Sequence, residues 1–400
     1  LDTTSLGVLS VAQLGGVSSA QLGALTSTQA GALSSTQLNA LTTAALKGLT
    51  ADQAAAITST GLSGLAVTRI GALGTAAVAA LTTTTLTGLT ATQALGLTSS
   101  QVGSLSTTQA ASLSTDQLNK LTTAAVAGLN ATLTASLTTT QVGGLATTVL
   151  SALSTASVAA LDETQIATLN TSQIQSLKTA QLNALTATTL GGLTTTELDG
   201  LTTTQVAGLS VTQLANFDTT NIANLETTQL KGLTAAQLGS FTTDQLGALT
   251  TDQLNSLTTA TFSSLKSTQV GGLTTTQLAG LDTTHLQSLN VTVLGALDET
   301  QAGALTETQI GNLKTTQLNA LNATAVADLS TTDVGALSTV QVTGLNATQV
   351  GRLTSTQVGA LTSDQLGALS AATISTLSTD DISALSTTQL AGVTSTQAGK

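Results

Sequence analysis

The side chains that could do chemistry are few and scattered. The 400-residue chain holds one histidine, His285, and no cysteine. A catalytic or metal-bound histidine needs companions, and none is evident around LDTTHLQS. His285 stands in a column otherwise held mostly by glutamine, so it reads as a substituted capping side chain; Arg69, in the same column, reads the same way. Carboxylates pair at Asp162-Glu163, Asp298-Glu299 and Asp380-Asp381, and they recur eight residues apart at Glu299 and Glu307 and at Asp244 and Asp252. Stacked carboxylates could hold Ca²⁺, which takes several oxygen ligands. The chain has neither a D-x-D-x-D-G loop nor a glycine-aspartate calcium array, so the acids are expected to decorate helix starts, with at most weak contact to divalent cations. Serine and threonine abound, but a hydroxyl nucleophile needs a base and an orienting group, and one histidine cannot serve many serines. No catalytic residue, cofactor or metal site is expected, and no enzymatic activity.

Composition narrows the function classes further. A net charge of −11 with isolated basic residues lacks the clustered positive footprint of a nucleic-acid binder. Polar residues interrupt every apolar stretch, which excludes a transmembrane helix, and no signal peptide opens the chain. Charged residues make up 7%, against roughly 25% in a typical soluble domain.

The organisation behind these residues is a repeat. From Leu1 to Lys400 the sequence divides into 50 octads without an insertion, typified by LTTDQLNS at Leu249 and FTTDQLGA at Phe241. Position 1 is Leu in 45 octads, the others being Val17, Ile57, Phe217, Phe241 and Val393. Position 6 is apolar everywhere except Thr134, where the adjacent Leu133 can substitute. Position 5 is Gln in 30, and position 8 is Gly, Ala or Ser in 40.

A continuous α-helix would turn by about 800° per octad and wind the apolar pair around its axis. A flat strand would send positions 1 and 6 to opposite faces. The chain must therefore bend once per octad. Position 2 is Ser, Thr, Asp or Asn in 43 octads, the residues favoured as helix N-caps. Gln three residues later completes a capping box, and positions 1 and 6 become the N′ and N4 partners of a hydrophobic staple. Each octad is predicted to be a very short helix over about positions 3 to 7, preceded by its own cap. Of the 36 glycines, 34 lie at positions 7 or 8, where a helix end favours positive φ. Of the 20 acidic residues, 18 lie at positions 2 to 5, near the positive end of the helix dipole. The five Asn-x-Ser/Thr triplets, at Asn130, Asn170, Asn290, Asn322 and Asn346, follow from an Asn cap preceding the usual Thr or Ser.

No octad can fold alone. Burying its two large side chains contributes roughly 1.5–3 kcal/mol each, against a cost of about 1.5 kcal/mol for each ordered residue. The fold expected is an all-α solenoid of very short helices stacked into a rod, with a continuous aliphatic spine and Thr, Ser, Asn and Gly outside. The pattern leaves the number of octads per turn open. The rival is a β-solenoid, since Thr favours strands and Gly143-Gly144 resembles a turn. Residues 1–400 read as one continuous array, and terminal octads like the rest suggest a segment of a longer one.

The unit L-[ST]-x-x-Q-[LVI]-x-[GA], with scarce Lys, no Cys and low pI, resembles the repeat regions of large bacterial secreted and cell-surface proteins, of adhesin or surface-layer type. That resemblance implies an extracellular or surface location. The function expected is structural: a fibre, stalk or filament associating end to end. The alternative is a Thr-rich binding module that adheres to carbohydrate, a surface or ice, a reading that needs flat Thr rows borne on strands.

Overall fold

The computed structural model describes residues 2–321 and 326–399. Among them are 49 helices of four to six residues and no strand. The fold is a solenoid of short helices, one to each described octad. It divides into two compact units, Leu1–Gln205 and Val206–Lys400. Octads are numbered below in chain order from Leu1.

Octad 32, beginning at Leu249, shows how the local sequence makes the element. Thr250 has extended backbone (φ −74°, ψ 162°), and its hydroxyl accepts the N–H of Gln253 at 3.2 Å. The Gln253 carboxamide oxygen accepts the N–H of Thr250 in return at 2.6 Å. The helix runs over Thr251–Ser256, and Leu257 returns to extended backbone to open the next octad. Leu249 and Leu254, the staple pair, are both buried. The expected capping box is thus present, and it repeats in most octads.

Packing then links octads three apart. Within each unit the helix of an octad lies against that of the third octad on: 4 on 7 and 7 on 10 in the first unit, 43 on 46 in the second. One turn of the solenoid therefore takes three octads. Positions 1 and 6 fill the interior, Phe217, Phe241 and Phe262 among them. At octad 17 the polar Thr134 is buried and donates its hydroxyl to Leu129 O at 3.1 Å, and Leu133 is buried beside it.

The glycines have a different role from the one expected. Among the described residues none has positive φ. Helices end instead in right-handed or extended residues, with the cap N–H bonded back into the last turn. What position 8 requires is closeness of backbones. A Cβ on Gly48 would lie 2.2 Å from Ser19 O, and one on Gly128 would lie 2.2 Å from Ser99 O, each contact reaching three octads back. Gly271, at position 7, faces open space, and nothing in the structure explains it.

Candidate functional site: a polar ladder between turns

A helix of four to six residues leaves nearly all its N–H and C=O groups without intrahelical partners. Position 5 supplies both kinds. Gln53 is buried; its Oε1 accepts the Thr50 N–H at 2.9 Å, closing its own cap. Its Nε2 donates across the turn to Leu22 O (2.9 Å), Gly23 O (3.2 Å) and Leu25 O (2.7 Å). The first two carbonyls end the helix four octads back, and the third opens the octad three back. The same set recurs at Gln93, at Gln237 and at Gln397. One carboxamide thus satisfies the start of one helix and the end of another, and ties successive turns together.

At four of the positions where glutamine is replaced, another polar side chain reaches the same carbonyl, 28 residues back. Thr85 donates to Ile57 O (3.2 Å), Ser157 to Leu129 O (2.6 Å) and Thr261 to Leu233 O (2.9 Å). His285 takes the same place, with Nε2 2.8 Å from Leu257 O. It is buried, its ring lies edge-on to Phe262 at 5.2 Å, and its Nδ1 is 2.9 Å from both carboxylate oxygens of Asp282. The histidine therefore does have a partner, its own octad's cap, three residues away. An acid at position 2 followed by a base at position 5 was the signal for it. Burial pushes the Asp282 carboxyl up, but hydrogen bonds from His285 and its charge outweigh this and hold it below its ordinary value.

Arg69 does not cap as expected. A guanidinium has no acceptor, and Ala66 before it offers no side-chain cap bond. The Ala66 N–H is taken instead by Asn39 Oδ1 at 2.8 Å, while Asn39 Nδ2 donates to Gly64 O at 2.7 Å. Asn119 brackets Gly144 O and Ala146 N in this way, and Asn255 brackets Gly280 O and Asp282 N. In all three cases the receiving octad has no Gln at position 5; it has Arg69, Val149 or His285. Position 7 here supplies from an earlier turn the cap acceptor that the missing glutamine would have given.

The acids fall into separate duties. Asp162 caps its helix; hydrogen bonds from the Thr164 hydroxyl and the Gln165 N–H hold its carboxyl below the ordinary value. Asp298 likewise accepts the Gln301 N–H. Asp381 is buried at position 5: burial raises it, but hydrogen bonds from Ser378 and Ser355 prevail and keep it low. Stacking runs between octads three apart, so Glu299 and Glu307, and likewise Asp244 and Asp252, stand in different columns. The carboxylate that Glu299 meets is Asp328, three octads on, which raises the Glu299 carboxyl through a shared hydrogen bond and like charge. No group of three or more His, Asp and Glu side chains fit to hold a metal occurs among the described residues. Asn130, Asn170, Asn290 and Asn346 each cap a helix through Oδ1. Asn322 and the rest of its triplet lie outside the described residues.

The ladder is what the sequence reading missed. A capping box accepts Glu as readily as Gln, yet position 5 carries 30 Gln against one Glu, Glu197. That bias marks a need for a donor as well as an acceptor.

Two stretches, residues 222–259 and 326–363, match the family described as the ALTTAQ repeat. Both are octad arrays of the kind described above. No curated protein matches the chain. Among solved structures, a chain in a homology model of the full-length AP-3 complex in an intermediate open conformation is similar over 96% of this chain and 73% of that one, at 11% identity and a TM-score of 0.28. A likeness of that size carries no argument about fold or function.

Proposed function

We propose that the chain is a structural spacer: a run of stalk or fibre in a large bacterial secreted or cell-surface protein, located outside the cell. The observation that carries this reading is the ladder. Its buried polar side chains are spent on holding one turn to the next, and the same bonds recur from Gln37 to Gln397. A chain invested in repetition of one joint is suited to setting distance and stiffness. The resemblance of the octad to surface-protein repeats supports the location, and the sparsely charged, net acidic, Thr- and Ser-rich exterior supports a hydrated surface of low adhesiveness.

End-to-end association belongs to the same proposal. At the first and last described turns the apolar seam lies open: Leu9, Val17 and Leu25 line one cleft, Ile382, Leu390 and Val393 another. Further turns, of the same polypeptide or of a second copy stacked head to tail, would cover them, and head-to-tail contact that does not close into a ring yields filaments.

Electron microscopy of the purified chain tests the reading. Thin particles of uniform width, whose length grows in proportion to the number of octads expressed, are expected. Compact particles whose dimensions do not scale with octad number would overturn it.

A further inference from the structure

Along most of the array, glutamine is missing from position 5 in single octads or adjacent pairs. Octads 8, 9, 10 and 11 lack it in succession, with Gly61, Arg69, Ala77 and Thr85 in its place. Thr85 donates to Ile57 O as a glutamine would. The other three do not: Gly61 and Ala77 have no side-chain donor, and Arg69 makes no bond to the turn before. The carbonyls 28 residues back are Leu33 O, Leu41 O and Leu49 O. No side chain of the next turn donates to them, although all three leucines are buried. Since three octads make one turn, one whole turn of the solenoid rests on its predecessor without a glutamine rung.

Other features fall on the same turn. Its helices Val67–Ile70 and Thr75–Ala80 begin at Ala66 and Gly74, with no side-chain cap bond at either. The two glycines of the chain that lie outside positions 7 and 8 are Gly61 and Gly74, and glycine gives up more conformational freedom on folding than any other residue. Asn39, which bonds Gly64 O and the Ala66 N–H, supplies the only hydrogen bonds across this joint among the described residues. The turn still stacks through its apolar side, where Leu62, Ile70 and Val78 are buried. Rungs resume on both sides. Gln37 and Gln53 tie octads 5 and 7 to the turn before them, and Gln93 and Gln101 tie octads 12 and 13 back to octads 8–10.

We infer that the joint between octads 5–7 and octads 8–10 is a preset parting plane, at which octads 1–7 open as one unit while the octads from 11 onward stay folded. At a joint with rungs, opening must separate each glutamine amide from its carbonyls. Here there is almost nothing polar to separate, and the exposed carbonyls gain water as a partner. In a one-dimensional array the weakest interface opens first, and everything beyond it loses its covered face. The joint thus gives a uniform array one fixed place that yields before the rest. This property belongs to the array itself and holds whether or not the chain serves as a stalk.

Amide hydrogen exchange of the full chain tests it. Residues 33–56 are expected to exchange at least about tenfold faster than residues 81–104, with the step falling at octads 8–10, because each hydrogen bond absent from the joint shifts its opening equilibrium severalfold. Arg69→Gln combined with Ala77→Gln supplies two rungs and should slow exchange of residues 33–56 about tenfold. Ala125→Gln, which fills a vacancy in octad 16, should leave those residues unchanged. Asn39→Ala adds nothing to the interior and cuts the remaining tie; it should quicken exchange of residues 33–56 and leave residues 81–104 as they were. Protection that declines smoothly towards Leu1 with no step at octads 8–10 would overturn the inference. So would a step that moves neither when the two rungs are added nor when Asn39 is cut.

Discussion

Gln93 shows what one residue type contributes at the residue scale. Its Oε1 holds the Thr90 N–H at 2.8 Å, and its Nε2 faces Leu62 O, Ser63 O and Leu65 O at 2.7 to 3.1 Å. Gln93→Glu keeps the acceptor and removes the donor. It is expected to cost about 1–3 kcal/mol at neutral pH, the magnitude of leaving buried polar groups unpaired. Thr92→Ala, one residue away and exposed, should change stability by less than about 0.5 kcal/mol. Urea unfolding of the two variants checks this, and a Gln93→Glu protein as stable as its parent would contradict the ladder. A second residue-level expectation concerns acid. The Asp282 carboxyl is held below its unfolded value by His285, so the pair's contribution is present above about pH 3.9 and disappears as pH falls through the lower, folded value. Asp282→Asn should therefore lose its difference from wild type in strong acid, a convergence visible in melting midpoints recorded across that range. Glu299 has the opposite sign: raised by Asp328, it favours the folded chain at low pH and loses that contribution as pH rises through the folded value.

At the scale of the element, the octad was legible because each of its constraints is local. Cap, box and staple involve residues within five positions of one another, so Thr250, Gln253, Leu249 and Leu254 could be given their places from residue type alone. What could not be read depends on where the next turn lands. Three octads per turn depends on where successive helices come to lie, and the residue classes at positions 8, 1 and 2, alike in most octads, do not specify it. The glycines show the consequence. Their positions were recognised, but the reason given was local conformation, whereas Gly48 and Gly128 answer to a backbone carbonyl 29 residues away. His285 and the Asn brackets likewise become explicable only once the cross-turn carbonyl or N–H is in place. Close approach and open space can be separated by experiment. Gly128→Ala is expected to destabilise by about 1–3 kcal/mol through the clash with Ser99 O. Gly271→Ala, with φ −62° and nothing near its would-be Cβ, should stabilise by about 0.4–1 kcal/mol by restricting the unfolded chain. Equal effects of the two substitutions would remove the packing explanation of position 8.

At the scale of the whole array, stability is a sum over joints between octads three apart, and a joint depends on columns more than on the identity of its octads. Consider removal of octad 13, Leu97–Ser104, from the first unit. Stacked pairs on either side of the cut survive unaltered, and the chain forms new pairs of octads 10 with 14, 11 with 15 and 12 with 16. Each new pair again sets position 1 and position 6 leucines or their equivalents inside. The Gln109 and Gln117 amides again meet carbonyls 28 residues back in the shortened chain. The Asn39 and Asn119 brackets are untouched, since each spans octads on one side of the cut. Removing only Gln101–Ser104 deletes fewer atoms but leaves Leu97–Ser100, a cap with no ladder residue and no staple partner, wedged between intact octads. The larger deletion is therefore expected to be the milder one. It should retain the helical ellipticity per residue of the parent and melt within a few degrees of it, while the four-residue deletion loses both helicity and melting temperature. Far-ultraviolet circular dichroism recorded through the melt compares the two directly. If the half-octad deletion proved as stable as the whole-octad one, the octad would not be the unit in which this chain is built, and the cross-turn register of the ladder would have to be tolerant of slippage that its hydrogen-bond distances do not allow.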